Sequence, residues 1–173
     1  MQSLNPHVTI HKSIWKGIHM KRSIIIVLAA LFLAGCAANY DLSGRIGELP
    51  KIDNPSESGK VVVVRTSNPI AFIVNYTIIL DLWDLFYIKS GEHTEFLVPP
   101  GDHSIAVKCY AGIPYGWQID STKFVASAGA VNYFKVRPSL NPCARIIPVS
   151  ADEANALLRS SKFIDLSKPA SSN

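Results

Sequence analysis

The chain has 173 residues, with 17 Lys and Arg, 13 Asp and Glu, and three cysteines. Four of the cations, Lys12, Lys16, Lys21 and Arg22, precede Cys36 and no carboxylate does, so the remaining 138 residues carry 13 charges of each sign. A neutral chain of this length fits one domain and lacks the basic footprint of a protein that binds nucleic acid or acidic lipid.

The first patterned element runs from Met20 to Cys36. Two cations precede 12 apolar or small residues, and the run ends in Leu33-Ala34-Gly35-Cys36. This order is that of a secretory signal peptide, and 12 residues fall short of the roughly 20 that a membrane-spanning helix needs. The last four residues resemble the lipobox of bacterial lipoproteins, which implies removal of residues 20–35 and lipidation of Cys36. An ordinary signal peptide or a short buried helix is the alternative.

The position of the signal also bears on the start and destination of the protein. Because the signal is complete from Met20, we interpret residues 1–19 as an upstream extension, with a long leader as the alternative. Ala37, not aspartate, follows Cys36. By resemblance to the lipoproteins of enteric bacteria, this implies sorting to the outer membrane. The predicted location is the bacterial cell envelope, with Cys36 anchored in the lipid bilayer and the protein facing the periplasm.

Residues 36–59 are predicted to comprise the lipidated cysteine and a flexible tether. This stretch has little apolar periodicity and contains three glycines and two prolines. A flexible coil of 23 residues spans about 25 Å root-mean-square. Such a tether would let the domain stand away from the membrane.

Beyond Gly59 the apolar residues alternate with a period of two. The pattern predicts about seven short strands within residues 60–149, separated by turn signals every 8–12 residues, which is typical of a sandwich or barrel. Residues 69–88 are apolar enough to suggest a membrane span, but Asn75, Asp81 and Asp84 make that alternative costly. The fold class predicted for residues 60–166 is mainly β.

The period changes near the C-terminus. Ser150 and Glu153 form a capping box, and apolar residues up to Ile164 recur at helical spacing. This predicts one amphipathic α-helix of about 12 residues, packed on the sheet. Residues 167–173 are predicted to be a frayed polar tail.

Several of these segments together resemble a family of small bacterial lipoproteins whose domain has no assigned function. They are the lipobox, a Val-rich first strand, the turn Val98–His103, the turn and strand Gly129–Phe134, and the helix start Ala151–Ala154. The resemblance implies a β-sandwich of the immunoglobulin or transthyretin type with one C-terminal helix, and it carries over no catalytic residues. The chain departs from the family at 81–84, where an Asp-Gly hairpin is expected and Asp-Leu-Trp-Asp stands instead.

One group of residues invites a chemical interpretation. His93 and His103, with Glu92, Glu95 and Asp102, flank one predicted hairpin and could form a metal or acid–base site. No His-x-His or Cys-x-x-Cys spacing supports this, and no nucleophile or phosphate-loop motif is present. The prediction is therefore a non-enzymatic protein without a cofactor, and a metal-binding or hydrolytic periplasmic protein is the alternative.

Aromatic residues near predicted loops indicate a binding surface. Trp83, Tyr115 and Trp117 could stack on a sugar or contact a peptide of an envelope protein. Ordinary packing of strand ends is the alternative. The leading hypothesis is a lipid-anchored binding or structural module of the envelope, with a protein of the envelope as its partner.

The two cysteines left after lipidation of Cys36 are Cys109 and Cys143. In an oxidising compartment such a pair favours a disulfide. Cys109 is predicted to point inward from its strand, and Cys143 stands at the mouth of the last strand. Two free buried cysteines are the alternative.

Overall fold

The computed structural model describes residues 42–69 and 74–172, so that the signal peptide and Cys36 lie outside the described residues. These ranges contain one α-helix, α1 (Ala151–Leu158), a short 3-10 helix at Pro55–Glu57, and eleven strands. The strands are β1 (Leu42–Arg45), β2 (Gly59–Arg65), β3 (Tyr76–Leu80), β4 (Trp83–Ile88), β5 (Glu92–Val98), β6 (Gly101–Tyr110), β7 (Trp117–Ala126), β8 (Val131–Pro138), β9 (Ala144–Val149), β10 (Lys162–Phe163) and β11 (Ser171–Ser172).

The strands form two sheets. One has the order β11-β1-β4-β3-β6-β7 and the other β10-β5-β2-β8-β9. Alternate residues of both sheets form one hydrophobic core, in which Val63, Ile78 and Phe86 are fully buried. The predicted mainly β sandwich with a single C-terminal helix is confirmed. Eight strands, β2 to β9, lie in the region where about seven were predicted, and the short strands β1, β10 and β11 lie outside it.

The central strand β2 is buried on both faces. Val61, Val62, Val63 and Val64 are all at most 4% exposed. One face of β2 meets the opposite sheet, and α1, whose Ala154 is buried, contacts β2 and β8. A strand covered on both sides is typically a continuous β-branched run, and β2 also pairs in parallel with β8.

Helix α1 begins as predicted but ends early. The Ser150 Oγ accepts a hydrogen bond from the backbone N–H of Glu153 at 3.2 Å. The helix ends at Leu158, not four residues later, and the hydroxyls of Ser160 and Ser161 donate to carbonyls of its last turn. These serines compete with the helix for its own acceptors. The chain then forms β10, and Ile164 joins the core from beyond the helix.

The predicted flexible tether and frayed tail are wrong for the residues that the structure describes. Leu42 and Ser43 of β1 pair with Ser172 and Ser171 of β11. Glycines that suggested a linker instead permit close packing. A Cβ on Gly44 would lie 3.2 Å from the Ala170 Cα, and one on Gly47 would overlap the Asp84 carbonyl oxygen.

The first described strand begins at Leu42, five residues beyond Ala37 and six beyond Cys36 in the sequence. None of the helices within the described ranges has the length and hydropathy needed to cross a bilayer.

Candidate functional site

The six-stranded sheet has two ends, and each carries part of the predicted site. Strand register places Trp83 beside Leu80, and Leu80 beside Ile105, at what we call the Trp83 end. Register places Trp117 beside Tyr110 at the opposite end of the strands, which we call the Trp117 end. The five residue steps from Ile105 to Tyr110 correspond to roughly 17 Å along the strands.

The predicted aromatic surface is therefore split. Tyr115 and Trp117 lie together at one end of the sheet, while Trp83 lies at the other. All three side chains are exposed, and Trp117 also lies against the Tyr110 ring, with 5.4 Å between the ring centres. Sequence proximity could not reveal the split, because it depends on the direction in which each strand runs.

The two histidines do not meet either. His93 is on β5 of the five-stranded sheet, where its Nδ1 lies 2.8 Å from the Ser161 Oγ and its ring lies against Phe163. His103 is on β6 of the other sheet. Glu95 pairs with Lys60 at 3.2 Å instead of joining a cluster. Within residues 42–69 and 74–172, no group of three potential ligands is placed to hold a metal ion.

At the Trp83 end, His103 belongs to a hydrogen-bond network that holds a turn. Its Nδ1 lies 2.6 Å from Asp81 Oδ2 and its Nε2 lies 2.8 Å from the Pro99 carbonyl oxygen. Asp81 Oδ1 accepts a hydrogen bond from the Ser104 backbone N–H at 2.8 Å. A carbonyl and a carboxylate can only accept, so the ring satisfies both when each of its nitrogens carries a proton.

The protonation of His103 follows from these partners. Burial by itself lowers the pKa of the imidazole, but the hydrogen bonds to Asp81 and Pro99 and the nearby carboxylate charges outweigh it and raise the pKa. A ring with both nitrogens engaged has no free lone pair, so it cannot accept a proton as a general base without breaking a bond. The network favours a structural role.

The network supports a strained two-residue turn. Asp81 and Leu82 have φ angles of 47° and 77°. A left-handed conformation is tolerable for aspartate but costly for leucine. The turn thus closes the β3–β4 hairpin without the glycine that the family resemblance implies.

Leu82 and Trp83 project from this turn, and Leu82 is 93% exposed. Depressions of about 540 and 550 Å³ flank the turn on either side and share Asp81. An exposed apolar pair held on strained backbone is a feature of contact surfaces.

We expect the stability of the domain to fall as the pH rises above about 6.5. A raised folded-state pKa means that His103 stabilises the fold fully below its unfolded pKa and loses this effect as the pH passes its folded pKa. One proton limits the slope to about 1.4 kcal/mol per pH unit. Urea unfolding of the wild type and of His103→Gln at pH 6, 7 and 8 measures how the free energy of unfolding changes with pH. The variant should lack the part of the decline that His103 causes.

His93 provides a control of opposite sign. Burial lowers its pKa, against smaller raising effects of Glu95 and Ser161. Its contribution is therefore present above the unfolded pKa and is lost as the pH falls. The variant His93→Gln should retain the wild-type decline above pH 6.5; a decline that His103→Gln retains and His93→Gln loses would contradict the assignment.

At the Trp117 end, two loops are held side by side. Residues 111–116 connect β6 to β7, and residues 139–143 connect β8 to β9. The structure brings Cys109 and Cys143 to disulfide distance with a Cα–Cα separation of 6.2 Å, as predicted. The Gln118 side chain accepts from the Cys143 backbone N–H at 2.6 Å, and the Tyr76 hydroxyl donates to the Cys143 carbonyl at 3.3 Å.

Sequence analysis missed Arg65, which is fully buried behind this end. Its Nη1 donates to the carbonyl oxygens of Val74 at 2.6 Å and Ile88 at 2.9 Å, and its guanidinium lies 3.7 Å from the centre of the Tyr76 ring. Burial lowers the pKa of Arg65 to about 10, opposed by Tyr76 and Glu92, so it remains charged at neutral pH. The signal was its position: Val61, Val63 and Arg65 share the inward face of β2.

No family model, curated protein or solved structure matches this chain. The resemblance to small bacterial lipoproteins therefore stays a prediction from the sequence, and the function rests on the chain's own residues.

Proposed function

We propose that this chain is a lipid-anchored protein of the bacterial cell envelope, acylated at Cys36, that serves as a non-enzymatic binding or structural module. The observation that carries the proposal is the Leu33-Ala34-Gly35-Cys36 sequence behind a positively charged, apolar segment. Several acyl chains on one residue hold a protein firmly on a membrane. In this proposal the mature protein is retained at the outer membrane and faces the periplasm.

Two structural observations support an oxidising, non-cytosolic compartment and a binding role. The pair Cys109–Cys143 lies at disulfide distance, and disulfides persist in secreted and periplasmic proteins. Both ring nitrogens of His103 are occupied by structural acceptors. The hydrolytic or metal-binding alternative has less support, because His93 and His103 lie on different sheets.

The Trp83 end is the surface that we propose for a protein partner of the envelope. Leu82 and Trp83 are exposed there on a turn that Asp81 and His103 hold in place. Rigid aromatic side chains lose little conformational entropy on binding and are enriched at the centres of interfaces. The partner itself is not specified by these residues.

Replacing Cys36 with serine should abolish lipidation and leave the precursor unprocessed or mislocalised. The serine hydroxyl cannot replace the thiol that the lipidation reaction modifies. The measurement is incorporation of labelled fatty acid in growing cells, followed by fractionation of membranes. Ala37→Ser is the matched control, because it alters the neighbouring residue and keeps the four-residue motif. Equal label in Cys36→Ser and wild type would refute the proposed anchor.

A further inference from the structure

We propose that the Trp117 end of the domain contacts the surface of the bilayer that holds the lipid anchor. The contact surface consists of the loops 111–116 and 139–143 with Trp117, and we call it the tip. This inference rests on the proposed function, since it takes acylated Cys36 as the anchor. It adds an orientation: one end of the domain lies in the lipid headgroup region and the Trp83 end faces away.

The tip is apolar and exposed, its loops contain no charged residue, and the ammonium of Lys108, which is paired with Asp84, lies 5.8 Å from the centre of the Trp117 ring. Its four large apolar side chains, Ile113, Tyr115, Trp117 and Leu140, are between 65 and 102% exposed. No Asp, Glu, Lys or Arg occurs from 109 to 119 or from 138 to 144. Tryptophan and tyrosine are the residues enriched at the membrane–water interface, where one side of the ring is apolar and the other is hydrated.

The path of the chain brings this end to the membrane. Gly44 of β1 pairs with Tyr87 of β4. Thr77 of β3 pairs with Tyr87 on one side and with Lys108 of β6 on the other. Continuing that register by two residues puts Leu42 level with Tyr110 and Trp117. The chain therefore enters the sheet at the same end as the tip.

The length of the connection then limits how far the tip can be from the bilayer. Six residue steps separate Cys36 from Leu42, and an extended chain covers at most about 3.6 Å per residue. Leu42 consequently lies within roughly 20 Å of the acylated residue. With the 23-residue tether predicted from sequence, no such restriction would exist.

Two arginines border the tip and suit lipid phosphates. Arg137 and Arg145 are directly opposed on β8 and β9, and both are exposed. Like charges in opposed positions destabilise a sheet, and among the described residues neither forms an ion pair with a carboxylate. A phosphate between the two guanidiniums would remove this repulsion. Although the mature chain is neutral, its charge at this edge is locally positive.

The loops are also held in place before any contact. The Ala111 and Gly116 backbones are joined by a hydrogen bond of 2.8 Å, and the rings of Tyr110 and Trp117 lie 5.4 Å apart. The Cys109–Cys143 link ties the loop with Leu140 to the base of the other loop. A preordered surface loses less entropy on binding than a mobile one.

The two tryptophans of the mature chain provide the test. Trp83→Phe leaves Trp117 as the only tryptophan after Cys36, and Trp117→Phe leaves Trp83. Each lipidated variant is placed in phosphatidylcholine vesicles with and without brominated acyl chains, which quench tryptophan on contact. We expect Trp117 emission to shift to shorter wavelength and to fall roughly twofold in brominated vesicles, with Trp83 emission unchanged. Both substitutions are conservative and exposed, so both variants should fold.

The outcomes separate this inference from the proposed function. Chains that carry no acyl group and do not float with the vesicles would refute the proposed anchor. Chains that float, with Trp117 quenched no more than Trp83, would overturn the orientation alone. Trp117 shielded from aqueous acrylamide but not quenched by brominated lipid would also overturn it, because a second copy or another protein would then cover the tip.

A second measurement tests the arginine pair. Adding phosphatidylglycerol to the brominated vesicles should deepen the quenching of Trp117 in the Trp83→Phe background. Replacing Arg137 and Arg145 together with glutamine should remove this increase and keep the quenching seen in phosphatidylcholine. An equal increase with and without the two arginines would show that they do not bind lipid phosphate.

Discussion

Replacing Arg65 with methionine is expected to lower the free energy of unfolding by about 3–5 kcal/mol. The side chain is fully buried, and it donates to the carbonyl oxygens of Val74 and Ile88. Methionine fills much of the same volume but donates nothing, so both acceptors lose a charged donor. A buried acceptor without its donor retains its desolvation cost of about 1–3 kcal/mol.

The loss of the Tyr76 contact adds to this. A guanidinium 3.7 Å from the ring centre and shielded from water is worth about 2 kcal/mol. Burial of the new methionine offsets part of the total. A domain of this size has a net stability of about 5–15 kcal/mol, so the change is a large fraction of it.

Denaturant unfolding of the mature protein in detergent measures the effect. Arg137→Met is the matched control, because Arg137 is an arginine on a strand with an exposed side chain, and its replacement should cost less than about 0.5 kcal/mol. Arg65→Lys should fall between the two, since lysine keeps the charge but has no planar fork. Equal stability of Arg65→Met and Arg137→Met would show that the buried contacts contribute nothing.

Much of the fold was readable because alternation reports burial directly. The strands from Trp117 to Val149 lie within the region predicted to form short alternating strands, since each has one inward and one outward face. The prediction of a flexible tether failed because a glycine can indicate either a flexible segment or a position where backbones pack closely. Gly44 and Gly47 were interpreted as signs of flexibility, whereas they allow backbones to pack closely against Ala170 and Asp84.

The candidate site was less predictable, because it depends on which ends of distant strands meet. Trp83 and Trp117 are both aromatics at strand starts, and only the register of β3, β4, β6 and β7 shows that they lie at opposite ends. From the sequence, His103 was a candidate metal ligand or acid–base residue. Its partner Asp81 is 22 residues away, and no local spacing links them.

The proximity of Cys109 and Cys143 was predictable by elimination, since the predicted lipidation of Cys36 would leave two cysteines in an oxidising compartment. Its place in the fold was not. Cys109 is on β6 of one sheet and Cys143 is in the loop before β9 of the other, so a bond between them would connect the two layers of the sandwich.

Removing this disulfide is expected to lower the free energy of unfolding by about 3–4 kcal/mol. The bond would close a loop with a sequence separation of 34 residues. Without the bond the unfolded chain gains conformational entropy, which lowers the free energy of unfolding. The double variant Cys109→Ala, Cys143→Ala should show the loss in denaturant unfolding of the mature protein. Both replacements are small and apolar, and they leave no buried polar group.

Reduction of the wild type provides the matched control for that experiment. Reductant should destabilise the wild type by about the same amount as the double substitution and should leave the double variant unchanged. Alkylation of denatured, unreduced protein should label neither cysteine. Labelling of both thiols would refute the bond, and so would equal unfolding midpoints with and without reductant. Because Cys143 also anchors the loop that carries Leu140, the reduced protein should in addition show weaker quenching of Trp117 by brominated lipid.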